Sequence, residues 1–446
     1  MDTIVAIATA PGRGGVGVVR LSGGRSAEIA EVICGRLPTP REAMFGHFKD
    51  AKGEIIDSGL ALFFPNPASF TGEYIVELHG HGSPFVLDQL CQRAIELGAR
   101  MAKPGEFSER AFLNNKMDLA QAEAVADLIE STTEQAAKSA MHSLQGVFSD
   151  RVNQLLKQLT DLRIYVEAAI DFSDEEIDFL GEADVDQQLQ GLLKTVDAIS
   201  DSAQQGRLLR DGLRVVLAGQ PNAGKSSLHN KLAGHDAAIV TDVSGTTRDI
   251  LREQIHIGGL PLSISDTAGL HDATDIVEQE GIRRTQNELA AADRILLVLD
   301  HEKGLTAEDQ RILSELPDEI PLTIVYNKID KQGLTAKLDE QTGQAVLYLS
   351  AKTGDGIALL KQYLCDSVGY HPQDEGVFIA RRRHLDALQR ARLAIAAGYD
   401  CLAGGGAGEL LAEELRQAQH ALGQITGTFT NEDLLDQIFS SFCIGK

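Results

Sequence analysis

Gly219–Ser226 reads GQPNAGKS, set between an apolar run, Leu213–Ala218, and a helix-forming stretch that begins at Lys225. A strand, a glycine-rich loop and a helix start, in that order, are the setting in which such a loop binds phosphate. Gly219 and Gly224 permit the tight backbone path that turns successive N–H groups toward phosphate oxygens. The helix N-terminus adds partial positive charge. Lys225 has the reach for the β- and γ-phosphates, and the Ser226 hydroxyl is a hard oxygen ligand for Mg²⁺. Taken alone, the stretch can still be a plain strand–turn–helix.

Three further stretches argue against that plain reading. DTAG, Asp266–Gly269, follows the apolar Leu260–Ser265 and offers a carboxylate for the Mg²⁺ shell and a glycine N–H for the γ-phosphate. NKID, Asn327–Asp330, follows Leu322–Tyr326. The Asp330 carboxylate can accept the guanine N1–H and N2–H together. Adenine has no such donor pair, so a site built on Asp330 rejects it. SAK, Ser350–Lys352, follows Val346–Leu349 and offers a backbone N–H to guanine O6. Four loops, each at the C-terminal end of an expected strand, converge where doubly wound sheets bind ligands. The expected unit is a G domain.

The chain has 446 residues, too many for one core and suited to about three domains. A net charge of −24 argues against a general nucleic-acid coat. It leaves room for a local basic surface or for a partner that carries the nucleic acid. The five cysteines (34, 91, 365, 401 and 443) are scattered and form no CxxC pair, which speaks against disulfides and a zinc site and for a reducing, cytoplasmic setting. Asp2 stands where a signal peptide is basic, and Ile4–Ala8 is short and runs into Pro11-Gly12. No apolar run approaches a membrane span, so stable membrane insertion is not expected.

Residues 1–117 read as mixed α/β. Ile4–Ala8, Val16–Leu21, Leu60–Phe64 and Tyr74–Leu78 are expected strands, Phe85–Leu97 an expected helix ending at Gly98, and Gly12–Gly17 an expected turn. His79 and His81 alternate as strand residues do; a zinc site there lacks a nearby cysteine or third ligand. Residues 118–210 are almost free of glycine. Leu119, Ala122, Val125, Ala126 and Ile129 share one helical face, as do Leu155, Leu159, Leu162, Val166 and Ala169. The acidic run Asp174–Asp178 lacks the glycine and spacing of a calcium loop. Residues 211–370 are the expected G domain. Residues 371–446 return to helix, over Val377–Leu402, Leu410–Leu422 and Leu434–Phe442, with Gly404-Gly405-Gly406 as a break. Pairing them with the helices before residue 211 makes the G domain an insertion in a discontinuous helical domain. Arg381-Arg382-Arg383, the densest basic cluster, reads either as a solvated helix face or as a phosphate contact.

GQPNAGKS, GTTRD (Gly245–Asp249), DTAGL and NKID, in a G domain set in the middle of the sequence, resemble the MnmE (TrmE) family of tRNA-modifying GTPases. So do the N-terminal PGRGGVGVVRLSG, the string PGEFSERAFLNNKMDLAQAEAVADLI and the terminal CIGK. The resemblance spans the chain, and the end strings are more specific to the family than the G motifs. It implies an α/β N-terminal folate-binding and dimerisation domain, a discontinuous helical domain and an inserted Ras-like P-loop G domain. It implies a homodimer, a complex with the FAD-containing MnmG (GidA) protein, and tRNA as substrate. The implied reaction adds an aminomethyl or carboxymethylaminomethyl group to C5 of the wobble uridine. The one-carbon unit comes from a tetrahydrofolate derivative, bound as the 5-formyl or 5,10-methylene form, with FAD present only through the partner.

The resemblance also implies site residues. The nucleotide set is Asn222, Ala223, Gly224, Lys225, Ser226 and Ser227; Thr241, Asp242, Val243, Ser244, Gly245, Thr246 and Thr247; Asp266, Thr267, Ala268 and Gly269; Asn327, Lys328, Ile329 and Asp330; and Ser350, Ala351 and Lys352. Ser226 and Thr247 match Mg²⁺ ligands, and Asn222, Thr241, Val243 and Thr246 match potassium positions. Arg20, Glu77, Lys116 and Lys446 match folate contacts, and Glu278 matches the residue that helps place the attacking water. Many GTPases carry a glutamine after DxxG for that task; here the position is Leu270, which cannot hydrogen-bond water. Catalysis is therefore expected from Lys225, Thr247 and Glu278, with a potassium ion in place of an arginine finger. Cys443 is either a nucleophile toward uridine C6 or a small buried apolar residue, and the tail after it is expected to hang free. The alternative function is a ribosome-assembly regulatory GTPase, which would usually bring a basic RNA-binding module after the G domain.

Overall fold

The computed structural model describes residues 2–171, 183–234, 254–266, 289, 292–340, 344–370, 377–403, 408–429 and 432–445. Asp174–Asp178 and Gly404–Gly406 lie outside the described residues.

Period-2 apolar patterns build the first sheet. Strands β1 (Ile4–Ile7), β2 (Gly14–Ser22), β3 (Met44–Lys49), β4 (Ile55–Phe64), β5 (Ile75–Gly82) and β6 (Arg100–Met101) run in the order β3-β4-β5-β2-β1-β6. Only the β1–β6 pair is parallel. Val19, Leu21, Val76 and Leu78 bury one face against helices α1 (Ser26–Cys34) and α2 (Pro84–Glu96). Helix α1 and strand β3 are not legible in the pattern: α1 has no side-chain cap, and β3 buries only Phe48. Strand β2 begins at Gly14, inside the stretch expected as a turn, and its register shifts between Gly14 and Gly17. A side chain at Gly17 would meet the Leu87 methyls of α2, so the glycine lets strand and helix approach closely.

Helices α3 (Glu106–Leu113), α4 (Leu119–Glu130), α5 (Glu134–Leu144), α6 (Val147–Asp171) and α7 (Ala183–Asp211) follow. Asp118 caps α4 in a reciprocal capping box with Gln121. The α6 stripe is buried as expected, at Leu155, Leu159, Leu162 and Val166. On α4 the expected face is partly wrong: Ile129 is 47% exposed, while Glu123 and Asp127 are buried.

The second sheet holds β7 (Leu213–Ala218), β8 (Gln254–Ile257), β9 (Leu260–Asp266), β10 (Arg294–Asp300), β11 (Leu322–Asn327), β12 (Lys337–Asp339) and β13 (Val346–Tyr348), in the order β12-β13-β11-β10-β7-β9-β8. The interior strands are parallel, and β8 and β12 are antiparallel edges. Strand β10 sends Leu296 and Val298 into one core and Ile295, Leu297 and Leu299 into the other. This two-sided burial is why its sequence is a continuous apolar run. Helices α8 (Lys225–Ala233) and α10 (Ile357–Asp366) cover one face, and α9 (Ala307–Glu315) the other.

The polypeptide then returns through α11 (Arg382–Ala403), α12 (Gly408–Thr426) and α13 (Glu432–Ser440). Val377–Arg381, expected as helix, is not helical. Ile379 N–H donates to Ser139 O, the Ser143 hydroxyl donates to Ile379 O, and Phe378 stacks on Phe148 at 4.5 Å. Its backbone groups are taken by α5, so they cannot enter a helix ladder. Helices α6, α7, α11 and α12 share one core, including Leu155, Leu189, Leu388 and Leu415. The segments before and after the second sheet thus form one bundle.

Candidate functional site

The phosphate-type loop joins β7 to α8 as the sequence predicts. Gly219 and Gly224 have φ of +133° and +102°, and Asn222 is left-handed at φ 66°. A Cβ at Gly219 would strike Val298 O, and one at Gly224 would strike Asn327 Nδ2, so both positions need glycine for close approach as well as for φ. Lys225 Nζ donates to Gly219 O at 2.6 Å and Gln220 O at 3.0 Å, curling back over the loop. Ser226 is exposed in the first turn of α8.

Asn327 binds three of the four loops together. Its Nδ2 donates to Ala223 O at 3.0 Å, and its Oδ1 accepts from Lys328 N at 2.8 Å and Ala351 N at 2.9 Å. Asp330 Oδ1 accepts the Ser350 hydroxyl at 2.6 Å, which orients the carboxylate. Lys328 Nζ reaches Asn222 O at 2.6 Å and Asp300 Oδ2 at 2.7 Å. Partial burial works against the Asp300 charge and Lys328 outweighs it, so this carboxyl sits below its ordinary pKa. Sequence reasoning misses Asp300; its one signal is its place at the end of the apolar β10 run. Thr241–Thr247, Thr267–Gly269, Leu270 and Glu278, and the side chain of Asp266, lie outside the described residues.

A second cluster forms on the first sheet. Arg20 Nε donates to Glu77 Oε1 at 2.9 Å across the β2–β5 pair, and His79 Nε2 lies 3.0 Å from Glu77 Oε2. The Arg20 guanidinium stands 6.0 Å from the Phe70 ring and 5.8 Å from the Phe107 ring. Lys116 Nζ donates to Pro67 O at 3.0 Å, on the loop that carries Phe70. His81 takes Asp57 at 2.7 Å, so the two histidines serve different carboxylates. No pattern in the sequence singles out Phe70, His79 and Phe107 for this cluster.

The C-terminus corrects two expectations. Cys443 O accepts from Gly105 N at 3.3 Å, Gly445 O accepts from Arg20 at 3.4 Å, and Gly445 is buried against Ile7 and Ala8. The tail is therefore docked rather than hanging. The Cys443 thiol is exposed, which removes the buried apolar reading. Lys446 lies outside the described residues.

The arginine cluster is neither a solvated face nor a phosphate contact at two of its three positions. Arg383 pairs with both Glu123 oxygens, at 2.8 and 2.6 Å, and Arg381 pairs with Asp127 at 2.8 Å; Arg382 is exposed. His384 Nε2 stands 2.9 Å from Glu123, and its Nδ1 accepts from Arg381 N, which requires the neutral ring. Burial, then the Arg383 charge, pushes the His384 pKa down to about 4. Burial alone would raise Glu123; the basic groups on it, His384 and Arg383 first, reverse that and hold it below the carboxylate range.

A doubly wound sheet with a glycine phosphate loop, NKID and SAK gathered on one edge defines a P-loop GTPase. The family model described as MnmE helical domain matches residues 119–443, and the one described as GTP-binding protein TrmE N-terminus matches residues 3–116. The tRNA modification GTPase MnmE of Nitrosococcus oceani is 58% identical over 445 residues, covering 100% of this chain and 97% of its own. That of Hydrogenovibrio crunogenus is 56% identical over 445 residues, covering 100% and 99%. Among solved structures, an Era variant of Aquifex aeolicus bound to GDP·AlF4⁻ covers 40% of this chain and 65% of its own at 25% identity, with a TM-score of 0.27 that carries no weight. The chain belongs to the MnmE family of tRNA modification GTPases. The ribosome-assembly alternative is not favoured, and the helices that follow the GTPase sheet, α11 and α12, belong to the bundle.

Proposed function

We propose that this chain hydrolyses GTP as one subunit of a complex that adds an aminomethyl or carboxymethylaminomethyl group to C5 of a tRNA wobble uridine. The one-carbon unit would be carried by a tetrahydrofolate on the first sheet, and an FAD-containing MnmG-type protein would complete the chemistry. The reading includes a cytoplasmic homodimer and a division at residues 117/118, 210/211 and 370/371.

The observation that supports it most is the docked C-terminus. Its Gly445 carbonyl accepts from Arg20, so the tail that carries the exposed Cys443 reaches the Arg20–Glu77 pair beside the Phe70 ring, far in sequence from the GTPase loops. This set suits a folate: Glu77 offers acceptor oxygens to aminopyrimidine N–H groups, Phe70 a flat apolar surface, and Arg20 and Lys116 charges for carboxylates. Cys443 is the candidate nucleophile toward uridine C6.

On the nucleotide edge, Lys225 would trade its loop carbonyls for the β- and γ-phosphates, and Asp330 would read guanine. The exposed Ser226 hydroxyl fits a hard cation, and Ser226, with Thr247, would hold Mg²⁺. Asn222, with Thr241, Val243 and Thr246, would hold K⁺, which offsets charge at the β–γ bridge when bound. Glu278 would help orient the water. Titration of the purified chain with 5-formyl-tetrahydrofolate tests the reading: saturable binding is expected, weakened about tenfold or more by Glu77→Ala. No binding by the parent chain would remove the folate step.

A further inference from the structure

The second sheet is joined to the rest of the chain by two crossings, one just before β7 and one just before α11. A single carboxylate holds both. Asp127 Oδ1 accepts from Arg210 Nε at 2.8 Å and from Arg381 NH2 at 2.8 Å. Arg210 lies at the end of α7, three residues before β7 begins at Leu213, and Arg381 immediately precedes α11. The Asp127 side chain is 3% exposed, so these ion pairs are shielded from solvent far better than surface pairs are. Asp127 itself belongs to α4, whose capped N-terminus follows Lys116 of the cluster on the first sheet. One short helix therefore runs from the neighbourhood of that cluster to the neck of the GTPase domain.

We propose that Asp127 is a positioning residue that clamps the two crossings and so fixes the orientation of the GTPase domain toward the rest of the chain. The geometry stands by itself; the consequence for tRNA modification rests on the function proposed above. Each arginine keeps another partner when Asp127 is removed: Arg210 NH1 has Asp211 at 2.8 Å, and Arg381 NH2 has Glu123 O at 3.2 Å. Neutralising Asp127 therefore removes the one side chain that both crossings share and leaves the Glu123–Arg383 pair in place.

The test uses the full chain with spin labels on noncanonical residues at Ala358 of α10 and Gln187 of α7, both exposed. The parent is expected to give one narrow interlabel distance distribution. Asp127→Asn and, separately, Arg210→Gln are expected to broaden or shift it, and Asp127→Glu to restore it. GTP turnover in Asp127→Asn is expected to stay within about twofold of the parent, since the nucleotide loops are remote from the clamp. Wobble-uridine modification is expected to fall about tenfold or more, within the usual range of coupling between sites. An unchanged distribution in both variants overturns the clamp, whatever the chemistry of the complex. Equal loss of GTP turnover and modification overturns a positioning role, and a broadened distribution with full modification overturns the coupling.

Discussion

Asp330 Oδ1 accepts the Ser350 hydroxyl at 2.6 Å, which orients the carboxylate proposed to read guanine. Asp330→Asn keeps the size but replaces one acceptor with a donor NH₂. It should weaken GTP binding on the order of 10²-fold or more and favour xanthosine triphosphate, whose C2 carbonyl accepts that donor. Competition binding of the two nucleotides measures this, and unchanged GTP affinity would reject the assignment. Asn222 carries the next prediction. With Leu270 at the usual glutamine position, GTP turnover should be faster in potassium than in sodium buffer, on the order of 10³-fold if the ion matches an arginine finger. Equal rates in both salts, or equal rates after Asn222→Ala, would refute it. These loop residues are legible in the sequence because the ligand dictates them: phosphate demands glycine φ and N–H groups, and guanine demands a carboxylate. Asp300 is not, because its contact is with Lys328 on the next strand's loop, a pairing that no local pattern announces.

At the scale of the element, α4 shows what a pattern cannot reveal. Its face reads as apolar, yet Glu123 and Asp127 are buried there because their arginines arrive from residues 381 and 383, more than half the chain away in sequence. Glu123→Ala would leave the half-buried Arg383 and the buried His384 without their carboxylate, a cost of about 3 kcal/mol. Urea unfolding of the variant measures it, and a loss below about 1 kcal/mol would contradict the network. The same cluster predicts acid sensitivity. His384 has a folded pKa of about 4 against about 6.5 unfolded. As pH falls below the unfolded value, the unfolded chain takes the proton first. Stability is therefore lost between pH ~6.5 and ~4, by up to about 3 kcal/mol. Glu123, lowered in the folded state, adds loss in the same direction once pH falls below its unfolded value. A flat stability profile over that window would contradict the buried neutral ring; His384→Phe should flatten only its own share. The seat of the C-terminal tail escapes the sequence for a similar reason: nothing local in Cys443–Gly445 announces Ile7 and Ala8 as its contacts. Truncation after Phe442 should abolish modification and leave GTP turnover near the parent. Retained modification would make the tail dispensable. Cys443→Ser separates the thiol from the docked backbone.

For the whole molecule, the order of parts is readable: a mixed sheet, helices, a GTPase sheet, helices again. Two segments that each carry one apolar stripe must find each other, and α6 and α7 do bury theirs against α11 and α12. How the GTPase sheet is held on that bundle is not readable, since it depends on Arg210, Asp127 and Arg381 meeting at the neck. The proposed function stands or falls on coupling between GTP hydrolysis and uridine chemistry. A reconstituted reaction measures that coupling: this chain with its FAD partner, unmodified tRNA and 5,10-methylene-tetrahydrofolate, read by mass spectrometry of the wobble nucleoside. Modified uridine is expected with GTP and potassium present, and none when GTP is replaced by a non-hydrolysable analogue or when the folate is left out. Equal modification with the analogue, or without folate, would contradict the coupling and the folate step respectively.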